Sequence, residues 1–598
     1  MHFRTFVGSV MLVIAAALPA HAQRVFHVDA DAQPSGDGRD WRSAFRFVQE
    51  ALDIASAGDQ IWVAEGFYVP STPAGPDATF AIPSGVEVYG GFDGTETRLT
   101  ERGDPFDHPT RLNGQFDLGM RAYTVVTFLG TDASTTLDGF IVDDGGSDGI
   151  NMESRAWGGG IYIAQQGAAT LRNLRIEDND ANVAGGGIAI RNGNPNQTTT
   201  IEDCVFENNN GGFGGALYFD SPVEIVGCTF RGNTAGERGG AVYNSGTSND
   251  RSRIVDTEFR FNSVPDTGLV SQAGGAYVAA NAAGDVEFFG CTFLGNEAPR
   301  DGAVLIESDG LHEFLRCGFY ANRAFRDSPD AADSAAAIHF KLIANEIDGE
   351  VLIDTCFFSG NSAERGLGTV VSRRFNGSMQ LYGSTLSRNT VDTGPTGGVY
   401  FGGGITQVDS SILWDNSSGD ADPQQNNLAG SGTAFVRRSI VEDFFAGTAT
   451  YPGTSNSDED PTFVDADGSN NIPGDLDDNV QLMPGSPAID AGANLAIDPR
   501  VTQDFFGAPR FVDDTGTPDT GFGDGVNPQV DIGAAEFQGT TPTDCTADAN
   551  NDGSLDPADF NAWVLAFNAQ APECDQNGDG LCNPADFNAW VISFNAGC

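Results

Sequence analysis

Two stretches near the C terminus place oxygen-bearing groups at fixed intervals. Asp548-Ala-Asn550-Asn-Asp552-Gly-Ser554-Leu-Asp556-Pro-Ala-Asp559 recurs 27 residues on as Asp575-Gln-Asn577-Gly-Asp579-Gly-Leu581-Cys-Asn583-Pro-Ala-Asp586. Side-chain oxygens at loop positions 1, 3 and 5, a glycine at 6, a main-chain carbonyl at 7 and a carboxylate at 12 meet calcium's demand for about six to eight hard ligands around a sharp turn. In this pattern Asp548, Asn550, Asp552, the Ser554 carbonyl and Asp559 hold one ion. Asp575, Asn577, Asp579, the Leu581 carbonyl and Asp586 hold a second, and Asp556 and Asn583 at position 9 act through water. Each loop leads into a helix bearing Phe, Ala and Trp, which predicts a calcium-dependent module over residues 545–598.

A second group of side chains suits acid–base chemistry. Val142-Asp143-Asp144-Gly145-Gly146 sets two carboxylates side by side, and paired carboxyls are the minimum for glycoside hydrolysis. Asp143 and Asp144 are the nearest match to such a pair in the chain, and no catalytic residue is assigned beyond them. Elimination on a polyuronate would need calcium-bridging aspartates with an Arg or Lys base, and an arginine amid three or more carboxylates in one cleft is the arrangement that would favour an enzyme. His339 and the sole lysine, Lys341, lie in Ile338-His-Phe340-Lys-Leu342, where alternation puts both on the outer face as ordinary solvated residues. Asp465, Asp467, Asp475, Asp477 and Asp478 have the spacing of a cation loop and equally that of a solvated acidic turn.

A repeat must hold these groups in place. Leu174-Arg-Ile176-Glu-Asp-Asn179, Cys204-Val-Phe206-Glu-Asn-Asn209, Cys228-Thr-Phe230-Arg-Gly-Asn233 and Thr257-Glu-Phe259-Arg-Phe-Asn262 open a series that runs to Ser439, with a mean step of about 29 residues, in the range of stacked repeats. Gly159-Gly160-Ile161-Tyr162, Gly186-Gly187-Ile188, Gly215-Ala216-Leu217-Tyr218 and later copies keep the same step. Strands this short cannot bury a face alone, but coils stacked about 4.8 Å apart share one core, which predicts a parallel β-helix of about 10–13 coils. Period-two alternation turns Phe206, Phe230, Phe259, Phe293, Phe319 and Phe358 inward as one column. Cys204, Cys228, Cys291, Cys317 and Cys356 face the same way and pack as thiols. The asparagine is expected to take the left-handed turn and stack its amide on the next coil; the paired glycines serve a corner where backbones meet without a Cβ.

Composition narrows the function. Of 598 residues 83 are acidic and 31 basic, a formal charge of −52, which excludes a nucleic-acid binder because phosphate neutralisation needs a basic face. With 40% apolar residues and 77 glycines out of register with a collagen triplet, the chain is neither disordered throughout nor collagenous. Residues 1–22, with Arg4, the apolar run Phe6 to Leu18 and Ala20-His21-Ala22, read as a secretory signal peptide. The expected mature chain has no transmembrane segment and stands outside the cell or on its surface. There disulfides persist and calcium is plentiful. The expected domains are a β-helix over 23–450 with an N-terminal cap built on a helix around Trp41, Phe45, Val48 and Leu52, a closing cap of irregular coils over 451–537, a linker at 538–544 and the tail. Cys545, Cys574, Cys582 and Cys598 in the tail are expected to form disulfides, with three connectivities open.

The Gly-Gly-Ala-aliphatic element paired with Phe-x-x-Asn resembles the repeats of chlamydial polymorphic outer-membrane proteins. The whole plan, with Val25-Phe-His-Val28, the capping helix and Gly58-Asp59-Gln60-Ile61-Trp62-Val63-Ala64-Glu65-Gly66-Phe67-Tyr68, resembles right-handed β-helix proteins of the pectin-lyase-like superfamily. Pro484-Gly-Ser-Pro487-Ala-Ile489-Asp490 and Val530-Asp531-Ile532-Gly533-Ala-Ala-Glu536-Phe537 look like the closing segment of many secreted bacterial β-helix proteins. The tail resembles a type I dockerin, whose loops carry Asp rather than the bidentate Glu of a full EF-hand, and is similar to variant tails that end in Gly-Cys, here Gly597-Cys598. Pro557-Ala558 and Pro584-Ala585 replace the hydroxyl or basic residues that cellulosomal dockerins often use for recognition. The implied partner is thus a cohesin-like or other cell-surface protein. Asp143-Asp144 resembles the acid pair of polygalacturonases, whose Gly-His-Gly and Arg-x-Lys partners this chain lacks. Because no convergent basic and acidic constellation accompanies these resemblances, the expected function is a secreted, non-catalytic protein of the cell surface or matrix that binds glycan or protein and docks through its tail. The alternative is a polysaccharide lyase or glycoside hydrolase, since such tails commonly ride on enzymes of polysaccharide degradation.

Overall fold

The computed structural model describes residues 23–70, 75–116, 119–146, 155–246, 251–267, 272–279, 284–327, 331–341, 349–373, 377–419, 425–446, 451–525 and 527–539, and in the tail 547, 549, 557–569, 571, 574, 576 and 582–596. The expected signal peptide, residues 1–22, lies outside them. Each repeat is one coil built on three main strands, with a short fourth one, such as Thr234–Arg238, at the corner after the asparagine in several coils. In a central coil the main strands are Val223–Val226 in sheet I, Thr229–Arg231 in sheet II and Val242–Asn244 in sheet III, after which Ser252–Val255 returns to pair in parallel with Val223–Val226. Among the described residues sheets I, II and III hold 14, 13 and 12 strands, parallel throughout. The protein is a right-handed parallel β-helix.

The register follows the repeat. Phe206 pairs with Phe230, Phe230 with Phe259, Phe259 with Phe293, Phe293 with Phe319 and Phe319 with Phe358. All six rings are fully buried, stacked with centroids 4.4 to 5.1 Å apart. Beside them runs a ladder of buried asparagines. Asn209 Nδ2 donates to Asn233 Oδ1 at 3.0 Å and to the Ile176 carbonyl of the preceding coil at 2.7 Å, and Asn209 N also donates to Asn233 Oδ1. The same bonds continue through Asn262, Asn296, Asn322, Asn361, Asn389 and Asn416. Each amide in the series is thus paired inside an apolar interior, where an unpaired one would be costly. The left-handed turn falls one residue earlier than expected: Asp178, Asn208 and Phe261 carry φ of 56°, 55° and 54°. The asparagine is held inside by its ladder, so the bend passes to the exposed neighbour. At the glycine corner a Cβ on Gly240 would lie 2.1 Å from the Gly274 carbonyl oxygen, so only glycine fits.

The inward cysteines are all free and buried. Their sulfurs donate to main-chain carbonyls, Cys204 Sγ to Glu202 O at 3.2 Å and Cys317 Sγ to Phe288 O at 3.4 Å, and burial pushes the Cys204, Cys291 and Cys317 thiols well above the usual range. Parallel Cβ vectors about 4.8 Å apart fit a relaxed disulfide poorly. Mass mapping without reductant should therefore find these five as thiols, alkylated only after unfolding; a Cys204–Cys228 peptide would refute this.

The N-terminal end is closed by the helix Val48–Leu52, whose Val48, Ala51 and Leu52 join Phe45 and Phe80 in the core. Trp41 is not on this plug. It sits in the 3-10 turn Trp41–Ser43 and joins an aromatic cluster with His27 and Phe92, its Nε1 donating to the Glu96 carbonyl at 2.9 Å.

Residues 451–537 do more than close the far end. Ser457 bridges Ile440 as a last partial coil, and the chain then turns back along the outer faces of sheets I and II. Leu482, Ile489 and Ile532 pack on Ile412 and Ile440, Val480 and Ala534 on Tyr320 and Phe357, and Ile497, Val501 and Val530 on Leu315. Asp498 N donates to Asp354 Oδ2 at 2.6 Å and Arg316 Nε to the Asp504 carbonyl at 3.1 Å. This return strip, the flank, exists because outward residues here are apolar, and a strand face of Leu315, Tyr320, Phe357 and Ile412 needs a cover.

Candidate functional site

The candidate acids sit at the N-terminal third of sheet II. Thr110–Asn113, Ile141–Asp143 and Arg175–Glu177 pair in register, with Leu112, Val142 and Ile176 inward and Asn113, Asp143 and Glu177 aligned outward. Asp143 is buried; its Oδ2 meets Arg111 Nη1 and its Oδ1 accepts from Asn113 Nδ2 at 2.7 Å. Arg111 reaches on to Glu177 at 3.1 Å. Asp144 occupies the left-handed corner, φ 56°, and accepts from Arg121 Nη2 and Asn113 Nδ2, both at 3.0 Å. Next to this cluster opens a groove of about 300 Å³ lined by Pro76, Met120, Arg121, Tyr123 and Asp180. The structure thus joins the predicted pair to two arginines that sequence reading did not single out. For Arg111 a signal was present, since Thr110-Arg-Leu112-Asn113 has the same alternation as Ile141-Val-Asp143, one coil earlier; Arg121 has none.

His339 does not stand in solvent as expected. It is wholly buried, with Nδ1 2.7 Å from Asp301 Oδ1, and Ala335 N donates to the same oxygen at 3.1 Å. Alternation fixes the side on which a residue points but not whether the chain covers that side, and here Asp301 of the preceding coil turns over it. Lys341, half-buried, pairs with Asp333 at 3.6 Å.

An arginine amid three carboxylates does occur, on sheet I. Arg500 of the flank contacts Asp498 at 2.8 Å, Glu287 at 3.7 Å and Glu313, while Arg251 meets Glu287 and Glu313, and Arg253 meets Glu224 and Glu287. This is a joint rather than a cleft: the Glu287 and Glu313 side chains are 3% and 5% exposed beneath the flank. Of the acidic loop, Asp467 is held by Arg388 and Asp465 pairs with Asn479, while Asp475, Asp477 and Asp478 gather their oxygens within 4.8 Å.

In the tail, Asp548, Asn550, Asp552, Ser554, Asp556, Asp575, Asn577, Asp579 and Leu581 lie outside the described residues, as do Cys545 and Cys598. Asp559 and Asp586 are buried at the starts of helices Pro557–Ala569 and Pro584–Ala596. Asp586 accepts from Asn583 N at 2.7 Å and Gln576 N at 3.1 Å, so the second and ninth positions of the loop close on its twelfth. Trp563 and Trp590 stack at 6.2 Å between the helices, and Cys574 and Cys582 form a disulfide.

Compared with known proteins, residues 130–322 match the family model described as a right handed beta helix region. Over that stretch the chain is similar to β-helix proteins. No curated relative matches the sequence. Among solved structures, pectate lyase Pel9A is 14% identical, covering 87% of this chain and 98% of its own at a TM-score of 0.36. A rhamnogalacturonan lyase is 12% identical, covering 77% and 97% at 0.31, and XylC with xylose is 11% identical, covering 85% and 98% at 0.39. Likenesses this loose carry no argument about activity. No helix among the described residues is long and apolar enough to cross a membrane.

Proposed function

We propose that the chain is a secreted, non-catalytic β-helix protein of the cell surface or extracellular matrix, which binds glycan or protein and is docked through a calcium-dependent, dockerin-like tail. The observation that carries this reading is the state of the acid pair. Both oxygens of Asp143 and both of Asp144 are taken by Arg111, Arg121 and Asn113, whereas a hydrolase needs one carboxyl free to give a proton and another free to meet water or sugar. What the groove offers instead is an arginine beside acceptors and a tyrosine, groups suited to hydrogen-bonding a hydroxyl-rich ligand.

The test is direct. Purified protein should release neither reducing ends nor unsaturated products from plant or algal polysaccharides, and Arg121→Ala should weaken any glycan or protein retained on an array. Product release that Asp144→Asn abolishes would overturn the reading. For the tail, calorimetry should show that Asp548→Ala and Asp575→Ala each remove one calcium from the full chain, while Asp556→Ala, acting through water, only weakens one. Unchanged calcium uptake in both Ala variants would leave the loops as acidic turns.

A further inference from the structure

Asp490 lies within the flank with 0% exposure, and neither of its carboxylate oxygens has a hydrogen bond of good geometry, the Asp514 main chain being the one donor that approaches it. Its main chain is fully engaged: Asp490 N donates to Asp531 Oδ1 at 2.7 Å, and its carbonyl accepts from Thr520 N and Gly521 N at 2.9 and 3.1 Å. Its side chain points to the exposed Asp513 and Asp519, and one oxygen from each of the three lies within 4.8 Å of the others. Among the described residues no Arg, Lys or His forms an ion pair with any of them. A buried, unpaired carboxylate facing two more is among the least favourable arrangements a fold can keep, because desolvation and like-charge repulsion act together. Burial first, and then Asp513, push the Asp490 carboxyl up to about 6.

We infer that Asp490, Asp513 and Asp519 together hold a calcium ion, which fastens the loop 513–521 to the flank. The ligands are all carboxylate oxygens, without nitrogen or sulfur, so a hard cation suits them better than zinc. Water and main-chain oxygens fill the remaining positions of a flexible calcium shell. The acidic loop at Asp475, Asp477 and Asp478 has weaker grounds: Asn470, Ser469, Ser359 and Gly474 N already occupy most of its oxygens. An ion at Asp490 would tie two distant pieces of chain at one point, since Phe522 N donates to the Gly492 carbonyl and Ala493 N to Ser410 Oγ on the coil beneath. The flank's hold on the helix would then depend on calcium independently of the tail.

The full chain carrying Asp548→Ala and Asp575→Ala, to weaken the tail loops, is loaded with calcium alone and compared with the same protein carrying Asp490→Asn or Asp513→Asn. Bound calcium per chain is measured by elemental analysis after buffer exchange, and thermal unfolding is followed with calcium and with chelator. One ion fewer in Asp490→Asn, and affinity at one site weaker by about tenfold in Asp513→Asn, are expected; both should shrink the chelator-sensitive part of the transition. Asp513 and Asp519 are exposed, so Asp513→Asn and Asp519→Asn test the site even if Asp490→Asn disturbs folding. If both surface variants keep the parent's calcium content and affinity, the assignment is wrong.

Discussion

Phe293→Ala is expected to destabilise the β-helix by about 3–5 kcal/mol. Its ring is fully buried between Phe259 and Phe319, with centroids at 4.6 and 4.8 Å, and Phe288 of sheet I meets it at 5.7 Å. The neighbours cannot close the gap, because each is fixed by its own strand register and by the asparagine ladder beside it. The cavity term therefore adds in full to the lost transfer energy. Phe261→Ala, at 58% exposure, is the control and should change stability by about 0.5 kcal/mol or less. Denaturant unfolding of the two variants decides the matter, with proteolysis reporting local opening where the repeat array does not unfold as one unit. A loss at Phe293 no larger than at Phe261 would contradict a packed column.

Arg510→Met should cost a similar amount, about 3–5 kcal/mol at neutral pH. Arg510 and Glu536 are both wholly buried; Nη1 meets Oε2 at 2.6 Å and Nη2 donates to the Gly533 carbonyl at 2.7 Å. Burial pushes the Glu536 carboxyl well above its usual range, and Arg510 opposes that. Without the guanidinium the folded carboxyl binds its proton more tightly still, while the unfolded one does not. Stability of the variant is thus retained at low pH and lost as pH rises through the folded value, so the deficit against wild type should be smaller at pH 5 than at pH 8. Arg510→Met with Glu536→Leu should recover most of the loss, since exchanging both partners for apolar groups leaves no orphan charge. A single variant as stable as wild type at pH 8 would show that the pair holds nothing.

The two predictions separate what could be read in the chain from what could not. The phenylalanine column and the stacked amides were legible because one physical requirement recurs at every coil. The left-handed corner was misplaced by one residue, because the repeat marks the asparagine and the bend falls on a variable neighbour, as different as Asp178, Asn208 and Phe261. The flank was illegible in its position: Asp490, Asp531 and Glu536 stood out within two motifs, but the bonds that seat the strip, from Ala493 N to Ser410, Ala534 N to Thr385 and Asp498 N to Asp354, come from irregular backbone with no period to follow. At the candidate site, alternation found the carboxylates, yet nothing in Asp143-Asp144 announces that Arg111 and Arg121 neutralise them. His339 failed for a related reason, since periodicity is blind to a loop that covers a face.

The flank also decides how the molecule would bear load. The chain leaves the β-helix at Phe537, beside Ile412 and Ile440, after Ala534 N has bonded to Thr385 Oγ1 and Phe537 N to Asp531 Oδ2 at 2.6 Å. Tension on the last residues therefore enters from the side. It meets the buried Glu536–Arg510 pair before it reaches any ladder of parallel strands. Resistance to pulling would then reside in a strip that peels one contact at a time, and the stacked coils behind it would stay wound while the strip gives way.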